Sequence, residues 1–222
     1  VIDNNNTINM CLIELFYRLI KGSCKVNGCH CCCISFTVFR INQNRYTKLM
    51  CKTLAFVIGT RPEAIKLAPV IRCAITHFKD SFKVIVITTG QHPKPVAEIL
   101  KIFKITPDYN FKIDRSTSQS LSLLQFQIQH RLEALFADIK PDIVVIQGDT
   151  ISTYSGAMAA FYQKIQIAHV EAGLRTSQIY SPHPEEGFRK MISQIAKWHF
   201  TPNKIATESL KQENISGDFI KE

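Results

Sequence analysis

Apolar residues follow two regimes along the chain. Through residue 49 they keep no sustained period. From Lys52 onward, short apolar runs of strand length alternate with longer stretches at helical spacing. The runs Thr53–Ile58, Lys83–Thr89, Asp142–Ile146, Ile165–Val170 and Trp198–Thr201 predict strands. Between and after them, helical patterns cover the stretch running to about His77, then Pro93–Phe103, Ser118–Asp138, Ser152–Gln163, Glu185–Lys197 and Lys204–Glu213. Strands alternating with helices at these lengths imply right-handed crossovers and a parallel sheet covered on both faces. The pattern therefore predicts a Rossmann-like α/β sandwich. No internal repeat is evident.

Composition narrows the class. A chain of 222 residues with 45% hydrophobic residues can bury a core of ordinary domain size. Its longest apolar runs fall far below the ~20 residues of a spanning helix, so no membrane segment is expected. The 27 basic and 18 acidic residues leave a net charge of +9. The basic residues are dispersed, without the dense stripe of a nucleic-acid surface. They fit either an ordinary solvated face or an anionic small ligand.

Six of the eight cysteines fall within the first 49 residues, leaving Cys51 and Cys73 in the remainder. That remainder matches a reduced, cytoplasmic domain without a disulfide framework. The first 49 residues also hold Asn-rich patches and the run Cys29-His30-Cys31-Cys32-Cys33. Three adjacent cysteines cannot all face one metal, and no second Cys-x-x-Cys pair follows, so no metal site is assigned. Asp3, Glu14 and Arg18 argue against a secretory signal. Residues 1–49 are expected to be a disordered leader upstream of a true start at Met50, with the folded domain spanning 50–222.

In a sheet of this kind, ligands bind beyond the carboxyl ends of the strands. Arg61, His92, Asp149 and Glu171 each fall just after a different strand, so the fold would gather them on one rim. Thr60 and Glu63 have capping-box spacing, and Pro62 suits a first helical turn. The free N–H groups there, with Arg61 and Lys66, suit a diphosphate. The same features also describe a plain capped helix with two solvated cations. Asp149, Glu171 and Glu185 offer acid and base groups on the rim. Asp149 and Glu185 read equally well as helix caps or first-turn acids. The pattern alone leaves both pairs of readings open.

Five segments carry a resemblance: Gly59-Thr60-Arg61-Pro62-Glu63-Ala64-Ile65-Lys66-Leu67-Ala68-Pro69, Thr89-Gly90-Gln91-His92, Gly148-Asp149-Thr150, His169-Val170-Glu171-Ala172-Gly173-Leu174-Arg175-Thr176 and Pro184-Glu185-Glu186. In order and spacing the chain from about Met50 to Ile220 resembles the N-terminal half of non-hydrolysing UDP-N-acetylglucosamine 2-epimerases. The resemblance implies one half of a GT-B-like two-domain fold with the active site between the domains. It implies anti elimination of UDP from UDP-N-acetylglucosamine and re-addition to give UDP-N-acetylmannosamine, for surface polysaccharide synthesis, with no cofactor or metal. By motif, Asp149, Glu171 and Glu185 match catalytic carboxylates. Arg61 and Lys66 match nucleotide-sugar contacts, and Asp149 and Glu171 join them at the substrate. His92 matches a regulatory or substrate pocket. Family members are homodimers, and a C-terminal domain on a separate chain is one conceivable partner.

The chain departs from the family pattern in places. Phe188 stands where the family has Asn after the paired glutamates, removing a polar partner near Glu185. Gln147 replaces a His before Gly148, and Ile151 interrupts a run of threonines. The sequence ends where the family enters its second domain, which carries a catalytic histidine. The expectation is a truncated half that is inactive alone. The alternatives are a non-catalytic remnant binding a nucleotide sugar and a GT-B glycosyltransferase domain. The motif Ala172-Gly173-Leu174-Arg175 argues against the hydrolysing epimerases, which carry an acidic, Gly-Gly version.

Overall fold

The structure is a computed structural model that describes residues 51–113, 120–216 and 219–222. The expectations for residues 1–49 lie outside the described residues. Strand β1 (Lys52–Ile58) leads into α1 (Arg61–His77), β2 (Phe82–Thr88) into α2 (Pro93–Ile102), and β3 (Tyr109–Asn110) is a two-residue edge. Then come α3 (Leu121–Ile139), β4 (Ile143–Gln147), α4 (Ile151–Tyr162), β5 (Gln166–Val170), α5 (Glu185–Ile195), β6 (Trp198–Phe200), α6 (Lys204–Gln212) and β7 (Ile220–Lys221). The longer predicted elements are all present, with ends displaced by a few residues at most. The two shortest strands, β3 and β7, carry too few residues to give a period and were not predicted.

The strands form one parallel sheet in the order β3-β2-β1-β4-β5-β6-β7. The chain runs outward from β1 through β3, returns to the centre at β4, and proceeds to the other edge. The loops after β1 and β4 therefore flank the point where the winding reverses, which is where such sheets bind ligands.

Alternation in the two central strands splits the core into two layers. Leu54, Phe56 and Ile58 of β1 and Ile143 and Val145 of β4 face one helix layer, with Leu67, Ile71 and Leu100 of α1 and α2. Ala55 and Val57, with Val144 and Ile146, face the other layer, against Ile128 and Phe136 of α3 and Ile192 of α5. Both faces are covered, which is why residues 54–58 and 143–146 are apolar throughout rather than alternating with polar residues. On α1, Ala64, Leu67, Ala68 and Ile71 give the i, i+3, i+4, i+7 stripe of a helix packed on a sheet.

Phe188 belongs to this core rather than to the rim. Its ring stacks on Tyr154 of α4, with centroids 4.6 Å apart and planes 11° from parallel, and the residue is 7% exposed. The aromatic thus joins α5 to α4 and does not intrude beside Glu185. No described helix is long and apolar enough to cross a membrane.

Candidate active site

The first rim loop is built around Glu63. This residue lies in the first turn of α1 and is buried. Its carboxylate accepts from the N–H groups of Gly59 and Thr60 at 2.5 and 3.1 Å and from the hydroxyl of Thr150. Glu63 thus supplies its half of the predicted capping box, and its carboxylate also ties the loop after β1 to the loop after β4. Burial pushes the Glu63 carboxyl above its usual range, and the donors from Thr150, Gly59 and Thr60 oppose that shift.

Gly59 is required by close approach. A Cβ there would sit 1.9 Å from Ser152 Oγ and 2.6 Å from Thr89 Oγ1. Those two hydroxyls are hydrogen-bonded at 2.7 Å, and Ser152 donates from N–H and Oγ to Gln91 Oε1 at 3.2 and 2.6 Å. Polar side chains thus hold three neighbouring rim loops together. Beside them, a cavity of about 430 Å³ is lined by Gly59, His92, Pro93, Leu100, Lys101 and Asn110 among others. His92 is the N-cap residue just before α2, and its N–H donates to Gly59 O at 2.8 Å. The cavity walls include none of the three predicted carboxylates.

Asp149 is not a helix cap. Thr150 takes that role, accepting from the N–H groups of Ser152 and Thr153. Asp149 instead meets Arg189 of α5, whose Nε donates at 2.8 Å and whose Nη2 lies 2.5 Å away. Arg189 Nη1 also donates to Glu186 at 3.2 Å. Glu186 is fully buried, and its other oxygen has no partner among the described residues. One guanidinium therefore bridges the loop after β4 and the start of α5. Burial opposes the charge on Arg189, but Asp149 and Glu186 outweigh it and hold the guanidinium above its ordinary value.

Glu171 follows β5 with φ at 63°, a left-handed conformation costing about 1–3 kcal/mol for a residue with a Cβ. Lys66 Nζ donates to both its oxygens at 2.6 and 2.5 Å, and the buried Gln147 amide donates to one of them. Because Gln147 pairs with Val170 in the sheet, Gly148 and Glu171 emerge side by side. Lys66 and Glu171 thus meet directly, and Asp149 is linked to α5 through Arg189. Glu185 opens α5 as a first-turn acid, half-buried, its side chain making no hydrogen bond or ion pair among the described residues. Arg61, at the start of α1, is exposed and likewise makes none. Sequence reasoning did not assign Glu63, Gln147, Glu186 or Arg189. The local signals available were the capping-box spacing of Thr60 and Glu63 and the i, i+3 spacing of Glu186 and Arg189.

Behind the rim, His169 of β5 sits beside His199 of β6. The carbonyl of Gly148 can only accept, so His169 Nε2 carries the proton of their 2.7 Å hydrogen bond. His169 Nδ1 is buried without a partner among the described residues. Desolvation lowers both histidines from 6.5 to about 4. Arg175, which lowers both further, pairs through Nε and Nη2 with Glu213 at 2.7 and 2.6 Å. That pairing holds the Glu213 carboxyl below its usual range.

The sign of the pH effect follows. Between 6.5 and about 4 the unfolded chain binds protons that the folded histidines refuse, so stability is full above pH 6.5 and falls below it. Each histidine contributes on the order of 3 kcal/mol to that fall. Glu213 acts in the same direction, because its depressed carboxyl loses stability as it is protonated. Glu63, shifted upward, acts the other way. Urea midpoints measured from pH 7.5 to 4.5 are expected to drop steeply below pH 6.5, and a flat profile would contradict the buried neutral pair.

The family model described as UDP-N-acetylglucosamine 2-epimerase matches residues 75–221. The chain belongs to the UDP-N-acetylglucosamine 2-epimerase family. The epimerase of Escherichia coli K12 is 42% identical over 165 residues, covering 74% of this chain and 43% of that protein. The epimerase of Bacillus subtilis 168 is 44% identical over 165 residues, covering 74% and 42%. The crystal structure of the Neisseria meningitidis epimerase bound to UDP-GlcNAc has a TM-score of 0.73 at 40% identity, covering 76% of this chain and 45% of that one. The chain thus has the fold of one Rossmann-like half of these GT-B-like epimerases, and it spans less than half the length of the relatives it matches.

Proposed function

We propose that this chain supplies the carboxylate-bearing N-terminal half of an enzyme that interconverts UDP-N-acetylglucosamine and UDP-N-acetylmannosamine. The observation that carries the reading is that Asp149 and Glu171 follow the ends of the paired strands β4 and β5, with Arg189 seated against the first and Lys66 against the second. A carboxylate takes the proton from C2 of the sugar, and the C1–O bond breaks with its electron pair leaving on UDP. A C1=C2 double bond remains. An acid then returns a proton to the opposite face of C2 as UDP adds back at C1. Such a path needs acid and base groups on two sides of the ring and cations for the leaving diphosphate. Asp149, Glu171 and Glu185 supply the first, and Arg61 and Lys66 the second. A cytoplasmic location, a second copy as partner and a C-terminal domain that completes the cleft belong to the same reading.

The test is a chimera joining residues 51–222 to the part of the Bacillus subtilis relative that this chain does not cover. Incubated with UDP-N-acetylglucosamine in heavy water, the folded chimera should form UDP-N-acetylmannosamine and place deuterium at C2. The 222-residue chain alone should do neither, because displacing a substrate by ~1 Å can cost about a hundredfold. A folded chimera that binds the nucleotide sugar without exchange would instead mark a non-catalytic remnant.

A further inference from the structure

We propose that Lys66 exchanges one anion for another when the site fills: Glu171 in the unliganded domain, the ligand's diphosphate in the bound one. The inference rests on the functional reading above and concerns how the same site is regulated. Lys66 Nζ lies 2.6 and 2.5 Å from the two oxygens of Glu171, so the ammonium faces one carboxylate squarely. The two side chains are 43% and 26% exposed. A pair so open to water biases an equilibrium by no more than about fivefold, and a diphosphate can displace it.

Glu171 has a second anchor besides Lys66. Gln147, 2% exposed, donates to the same carboxylate from within the sheet. After the exchange the carboxylate stays on the rim with both oxygens released from the ammonium. Ligand arrival thus readies the group for proton transfer. The Asp149–Arg189 pair lacks this freedom. Its side chains are 24% and 16% exposed, and Arg189 is anchored on the far side by the buried Glu186.

The experiment follows UDP-N-acetylglucosamine binding to the 222-residue chain by NMR titration, with thermal unfolding showing that each variant is folded. Glu171→Gln removes the competitor and should tighten binding about fivefold. Lys66→Gln should weaken binding and abolish the gain from Glu171→Gln when the two are combined. Asp142→Asn should leave affinity unchanged. It removes the same charge from a comparable pair, Lys52–Asp142 at 2.6 Å, at the opposite end of the sheet. Equal binding by wild type and Glu171→Gln would overturn the exchange while leaving the ligand reading intact. A gain that persists without Lys66 would also overturn it, by pointing to simple repulsion. Failure of both wild type and Glu171→Gln to bind would overturn the exchange and the ligand reading together.

Discussion

Glu171→Gln in the joined enzyme is expected to lower turnover by about a hundredfold or more while the fold is kept. The scale is that of losing a general acid or base. The new amide keeps the volume and one acceptor for the donors that hold Glu171, Lys66 Nζ and the Gln147 amide. It cannot take a proton from C2. The loss should therefore appear in kcat and in the rate of deuterium entry at C2, with unchanged thermal unfolding. Asp149→Asn and Glu185→Gln are expected to fall on the same scale. Asp149 sits against Arg189, whereas Glu185 has no partner among the described residues, so its substitution should disturb the protein least. If all three variants turned over at the wild-type rate, the rim would be structural and the proposed chemistry wrong.

Arg189→Met should be the most destabilising change near the rim. It removes the guanidinium that joins Asp149 to Glu186, and Glu186 is then left fully buried without a cation. Breaking a buried pair by deleting one partner costs about 3–5 kcal/mol, most of it from the abandoned charge. In a domain of this size that lowers the midpoint by on the order of 10 °C. Adding Glu186→Gln should recover a large part of the loss, because a neutral amide is far less costly to bury than an unpaired carboxylate. The comparison needs thermal unfolding of wild type, the single variant and the double variant. A double variant no more stable than the single one would show that Arg189 stabilises by packing rather than by charge.

Much of this protein was legible in its sequence. Continuous apolar runs of strand length and i, i+3, i+4 stripes are set by backbone geometry and burial, so they report the longer strands and helices directly. Tyr109–Asn110 and Ile220–Lys221 escaped because two residues cannot display a period, and sheet pairing defines them. The sequence also placed Arg61, Asp149 and Glu171 on one rim, because each follows a strand and parallel strands end together. Their partners could not be read there. Lys66 and Glu171 are 105 residues apart in the chain, Asp149 and Arg189 40 apart, and Glu63 and Thr150 87 apart. Only the packing of α1 and α5 on the sheet decides which cation faces which acid. The same holds for Phe188, which beside Glu185 in the chain reads as an intruder and in the fold stacks on Tyr154. Local spacing fixes which way the chain turns, whereas contacts between distant segments depend on how whole elements bury their apolar faces, a property of the tertiary structure alone.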